Sequence, residues 1–210
     1  MKDYIVIHPH NVFSQESIAE QFHAIDQYDL AQTDLMPYKC MIVLGYVDQD
    51  FLLEEKEIID AFLAAGKIVC FFGNLVTPWL EGQRMFEPKE IRWHGDYNVH
   101  IASDHFIFDG VLEDDMTTNK GVKGFFARGH HEAPQHAEVL LTLRSGETIT
   151  YIDRRSTNGT IFMHAGNCLF QLGLGMQLAQ KKTTDLIPPR MLQWAEQEWT
   201  RLQKGEKYDA

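Results

Sequence analysis

Residues 67–76 read KIVCFFGNLV. Ile68–Phe72 is an unbroken apolar run, and Gly73-Asn74 ends it. A run this short with no polar alternation is the pattern of a strand buried on both faces of a parallel sheet. The sequence before it agrees. Asp50 is placed to cap a helix whose apolar face is Leu52, Ile59, Phe62 and Leu63, and Gly66 is placed to end it. Further back, Cys40–Leu44 (CMIVL) is a second apolar strand, closed by Gly45, and Tyr4–His8 (YIVIH) is an earlier one. Between those two, Ser14 to about Ile25 has helical spacing at Ile18, Phe22 and Ile25, with Ser17 and Glu20 in the positions of a capping box. Buried strands alternating with amphipathic helices predict an α/β fold, with helices on both faces of a parallel sheet. In such sheets ligands lie beyond the carboxyl ends of the strands. Here those ends carry His8-Pro9-His10-Asn11, Gly45-Tyr46 and Gly73-Asn74.

From about Ile91 the pattern changes to strand after strand. Val99–Ala102, Val122–Ala127, Val139–Leu143, Thr148–Ile152 and Thr160–His164 all read as β. Arg144-Ser145-Gly146-Glu147 and Ser156-Thr157-Asn158-Gly159 are the turns, the second carrying the Asn-Gly hairpin signal. A last helix is expected from about Pro188, with Leu192, Ala195, Trp199 and Leu202 on one face. The 210 residues suit a single domain, with a β-rich elaboration at about 91–165.

The net charge of −11 offers nothing to neutralise a run of phosphates, so neither nucleic acid nor an anionic membrane surface is an expected partner. The cysteines, Cys40, Cys70 and Cys168, show no metal-type spacing. Such a sparse, odd set suggests a reducing compartment. The apolar run near the N-terminus is far too short for a signal peptide, and no stretch approaches the roughly 18 apolar residues of a membrane span. The expected location is the cytoplasm.

The order of these pieces resembles the class I glutamine amidotransferase-like superfamily, and within it the ThuA-like branch. Four stretches carry the likeness: Tyr38–Gly45; the helix Leu53–Gly66 followed by Lys67–Phe72; His105-Phe106-Ile107-Phe108-Asp109-Gly110; and Gly159–His164 followed by Leu192-Gln193-Trp194-Ala195. Together they span most of the chain. The resemblance implies a flavodoxin-like three-layer sandwich. In amidotransferases of this kind the corresponding strand enters a G-x-C-x-G elbow, whose thiolate attacks the glutamine amide beside backbone N–H donors. This sequence puts Gly73 in the nucleophile's place, and Cys70 falls inside the strand. The resemblance therefore implies the fold without the Cys nucleophile. His130-x-Glu132 matches the family's H-x-E in letters, and His164 lies nearer the expected place for a base.

His8-x-His10 at a strand end is a metal hint, because alternate residues on a strand point the same way and both imidazoles could reach one divalent ion. His130-His131-Glu132 follows Phe125-Phe126-Ala127-Arg128-Gly129 and is expected near the cleft. The candidate ligand-binding residues are thus His8, His10, Asn11, Tyr46, Gly73, Asn74, His130, His131, Glu132 and His164, with His8 and His10 as candidate metal ligands. Phosphate-cradling glycine loops and the G-x-S-x-G elbow are absent from the sequence. Three functions compete, in this order. The first is a nucleophile-free domain binding a small polar ligand, sugar- or nucleotide-like, or a protein partner. The second is a histidine-based hydrolase or isomerase, with or without a metal. The third is a structural module for homo-oligomerisation.

Overall fold

The computed structural model describes residues 3–9, 22–119, 121–124, 126–171 and 182–205. The first half contains strands β1 (Tyr4–His8), β2 (His23–Asp26), β3 (Cys40–Val43) and β4 (Ile68–Phe72), with helices α1 (Gln49–Glu54) and α2 (Lys56–Ala64) between the last two. The second half contains β5 (Phe86–Pro88), β6 (Val99–Ile101), α3 (Glu113–Thr117), β7 (Thr118–Asn119), β8 (Val122–Lys123), β9 (Gly129–His131), β10 (Glu138–Leu143), β11 (Thr148–Asp153), β12 (Thr160–His164) and α4 (Ile187–Gln203).

Eight strands form one sheet in the order β2-β1-β3-β4-β12-β11-β10-β6. The first five are parallel, and the last three join in antiparallel fashion. Taking β12 as the fifth parallel strand, the spatial order is 2-1-3-4-5, that of the flavodoxin-like doubly wound fold. Every residue of β1, β3, β4 and β12 is buried, as a sheet covered on both faces requires. Val6, Ile42, Cys70 and Phe162 stand in register across four strands and pack on one side with Met191 and Trp194 of α4. Their neighbours Ile7, Val43, Phe71 and Met163 face the other side, under Leu52, Ile59, Phe62 and Leu63. The chain is therefore an α/β three-layer sandwich, and its β-rich second half supplies both the antiparallel edge and the central strand β12.

Several details depart from the sequence reading. The helix expected from Ser14 to Ile25 mostly lies outside the described residues, as does its Ser17/Glu20 box, but its last part is strand β2. Backbone pairing with β1 (Ile5 with His23, Ile7 with Ile25) overrides the helical spacing. Asp48, not Asp50, caps α1, its carboxylate accepting the Phe51 N–H at 3.1 Å. The strand expected over Val122–Ala127 is only Val122–Lys123, because Gly124 turns the chain away at φ +83°. Asn158-Gly159 does lie in the β11–β12 connection, but Gly159 is needed for closeness: a Cβ there would lie 2.1 Å from the Lys67 carbonyl oxygen. In α4 the buried face is Met191, Trp194, Ala195 and Glu198, with Leu192, Trp199 and Leu202 only partly covered.

Candidate functional site

The carboxyl ends of β3 and β4 are joined through glycine. A Cβ on Gly73 would lie 3.0 Å from the Gly45 Cα, and one on Gly45 would lie 3.1 Å from the Phe72 carbonyl oxygen. Gly73 adopts φ +143° and donates its N–H to the His164 carbonyl at 2.9 Å, tying the ends of β4 and β12 together. Leaving β3, the chain passes from Gly45 to Tyr46, which has φ +67° and an almost wholly exposed ring.

Beyond Gly73 the chain is held by two side chains. Gln49 is buried at the start of α1. Its amide donates to the Asn74 carbonyl (2.7 Å), and its Oε1 accepts from Val76 N–H (2.8 Å) and from the Trp79 indole (3.2 Å). His131 accepts the Leu75 N–H on Nε2 at 3.1 Å. An acceptor nitrogen carries no proton, so the neutral ring is protonated on Nδ1, a buried atom with no hydrogen-bond partner among the described residues. Burial, with the neighbouring His130 adding to it, pushes the His131 pKa down to about 4.

His164, at the end of β12, is also fully buried. Its Nδ1 lies 2.7 Å from the Thr150 hydroxyl, and the Phe126 ring packs against it with centroids 4.9 Å apart. Burial, reinforced by His131, lowers its pKa to about 3, outweighing the carbonyls of Ile149 and Phe126. Gly166 permits this packing, since a Cβ there would lie 1.9 Å from the Phe126 oxygen and 2.7 Å from His164 Nε2. Both rings are thus neutral and enclosed.

The other sequence candidates are scattered around this end. His8 is buried at the end of β1 with Nδ1 3.0 Å from the Pro9 carbonyl. His10 and Asn11 lie outside the described residues. Asn74 and Glu132 are exposed. His130 has Nε2 3.7 Å from a Glu87 carboxylate oxygen. Among the described residues no group of three or more His, Cys, Asp or Glu is arranged to hold a metal ion. Gly73, His131 and His164 are brought together, with Tyr46 and Asn74 on the exposed side. Gln49 and Thr150, which hold this end in shape, carry no motif that sequence could flag.

Two other constellations fail on geometry. Cys70 lies in the core layer beneath α4, its Sγ 3.7 Å from that of Cys40, and burial raises its pKa well above that of a free thiol. Ser156, His136 and Asp153 have the letters of a hydrolytic triad. However, the same His136 nitrogen faces both the Asp153 carboxylate (2.9 Å) and the Ser156 hydroxyl (3.4 Å), and a triad needs one ring nitrogen for each.

No family model and no curated protein matches the chain in sequence. Among solved structures, it is similar to the mmIFT52 N-terminal domain (TM-score 0.50, 11% identity, covering 91% of this chain and 96% of that one). Glutamine amidotransferases are also among the neighbours. One from Thermotoga maritima has a TM-score of 0.49 at 15% identity, covering 95% of this chain and 92% of that one. Another from Methylobacillus flagellatus has a TM-score of 0.40 at 11% identity, covering 100% and 96%. At these identities the likeness bears on fold alone, and the flavodoxin-like class rests on the strand order and the two-faced core. No helix among the described residues is long and apolar enough to cross a membrane.

Proposed function

We propose that this chain is a non-amidotransferase member of the class I glutamine amidotransferase-like fold, of the ThuA-like branch, that binds a small polar ligand at the carboxyl ends of β1, β3 and β4. One observation carries the reading. The reading aligns Gly73 with the place where an amidotransferase of this fold carries its cysteine, and it is supported by the contact with Gly45, which leaves little room for any side chain there. The enclosed, neutral His131 and His164 act as structural acceptors and packing groups. The exposed Tyr46 ring and Asn74 amide then supply an aromatic face and a hydrogen-bonding group on the same end, the pair of features a sugar- or nucleotide-like metabolite needs. A protein partner is the second reading, favoured by Val76 and Tyr28, which are 60% and 53% exposed beside α1. We read the whole chain as one domain working in the cytoplasm.

The test has two parts. Incubation with glutamine is expected to release no ammonia above the uncatalysed background, and release above it overturns the non-amidotransferase reading. Ligand-observed NMR against small polar metabolites is expected to find binders that Asn74→Ala weakens; if Asn74→Ala leaves every binder unaffected, the site is elsewhere.

A further inference from the structure

We propose that Tyr46 is a recognition residue of this site, an aromatic platform for an uncharged polar molecule with a stackable ring face, such as a pyranose or a nucleoside. The inference rests on the binding reading above and names the ligand's chemistry. Among the described residues Tyr46 is the one non-glycine residue with positive φ, at +67°. Glycine adopts that conformation at least cost, and a side chain there is tolerated only where its surroundings dictate it. They do so here. Gly45 is pressed against Gly73, Val47 is buried, and the Asp48 N–H is held by the Gln27 amide oxygen at 2.6 Å. The tyrosine side chain gives nothing back to the fold, because it is 93% exposed. Local conformation and fold would both be better served by glycine, and such conflicts gather where function is selected.

The position supports a ligand. β1 and β3 are neighbours in the sheet and diverge in the chain's winding, and the crevice at that reversal is where doubly wound sheets bind ligands. The chemistry of the rim narrows the class. The described stretches leaving β3, β4 and β12 at this end, residues 44–55, 73–83 and 165–171, contain no Lys or Arg, while Asp48 and Asp50 are present. Those stretches offer no counter-charge to a phosphate or carboxylate. An aromatic ring stacks on the C–H face of a sugar or on the face of a base without needing charge.

The experiment measures binding of glucose, mannose, galactose, adenosine and uridine, and of the phosphates of each, to the full chain by ligand-observed NMR. Thermal unfolding of Tyr46→Gly is followed in parallel. The expected result is that a neutral member binds and Tyr46→Gly weakens it at least about tenfold, a ratio that loss of one stacking ring supports. Tyr46→Trp should retain binding, and Tyr46→Gly should unfold about 2–4 °C higher than the native chain. If Asn74→Ala abolishes binding but Tyr46→Gly does not, the site stands and the inference falls. Tighter binding of the phosphates, or a lower melting temperature for Tyr46→Gly, also overturns it. If no member binds, the binding reading fails and the inference fails with it.

Discussion

His131 and His164 are enclosed so completely that their protonation becomes a matter of stability. In the unfolded chain each titrates near 6.5, whereas burial lowers them to about 4 and about 3 in the fold. Between those values the unfolded state binds protons that the native state refuses. The stabilisation is therefore complete above pH 6.5 and is lost as the pH falls toward the folded values. Each histidine contributes a slope of about 1.4 kcal/mol per pH unit in that window, so the pair costs roughly 3 kcal/mol between pH 6 and pH 5. Urea unfolding at pH 7, 6 and 5 measures this directly. His131→Gln keeps an acceptor for the Leu75 N–H and removes one titration, so it should halve the slope. An unchanged slope would show that His131 is not held neutral. The cysteines follow the same logic, since burial raises Cys168 to about 12 and Cys70 well above its ordinary value. Thiolate is the reactive form and all three thiols are buried, so iodoacetamide should label none of the three until the chain unfolds. Labelling of the native protein would contradict the enclosed placement.

At the scale of elements, the segment after β4 is shaped by one glutamine. Removing the Gln49 side chain leaves the Val76 N–H, the Trp79 indole and the Asn74 carbonyl without the partner they share. Gln49→Ala should therefore cost about 2–4 kcal/mol in chemical denaturation, with faster amide exchange confined to residues 75–79. Exchange spread evenly over the sheet would refute a local role. The sheet's outer edge is managed in a comparable way. The Val99 and Ile101 N–H groups of β6 are taken by Thr117 and Glu113 of α3, which occupy an edge that another chain could otherwise pair with. These cases mark what was legible in the sequence. β1, β3, β4 and β12 were readable because burial on both faces leaves an unbroken apolar run. β2 was not, since an edge strand buries only one residue fully and Ile25 also fits a helical spacing. Gln49 was invisible because a polar residue in a first helical turn ordinarily faces water. Of the candidate site, the sequence named the strand ends, Gly73 and the histidines. Which histidines would be sealed depended on Thr150, Gly166 and the β9 segment, contacts that no local pattern encodes.

The two ends of the sheet have different duties, and the whole molecule separates them. The carboxyl ends carry the candidate site, while the opposite end is locked by charge. Glu198 of α4 is 4% exposed. It accepts from Arg154 Nε (3.0 Å), from Arg201 (2.6 Å) and from the Thr160 hydroxyl, and Arg154 also reaches Glu138 at 2.6 Å. Burial opposes ionisation of Glu198, but Arg201, Arg154 and Thr160 outweigh it and hold its pKa down. Arg154 leaves β11, Thr160 begins β12 and Glu138 begins β10, so one helix carboxylate joins α4 to three strands. Replacing a buried ionic cluster with apolar groups is often neutral, whereas removing one partner strands the others in low dielectric. Glu198→Ala should therefore destabilise the fold by about 3–5 kcal/mol, and salt should not restore it because buried pairs are weakly screened. An apolar triple replacement, Arg154→Met with Glu198→Leu and Arg201→Met, should recover much of the loss. The cluster lies at the far end of β12 from His164, so a Glu198→Ala chain that still folds should bind the small molecules found for the native chain, if the proposed site holds, as tightly as the native chain does. Denaturation curves for the single and triple variants, set beside their ligand affinities, test both halves. A triple variant as unstable as Glu198→Ala would mean that α4 is held by the shape of the cluster rather than by its charge balance. Weakened binding in Glu198→Ala would mean that the two ends of the sheet are energetically linked.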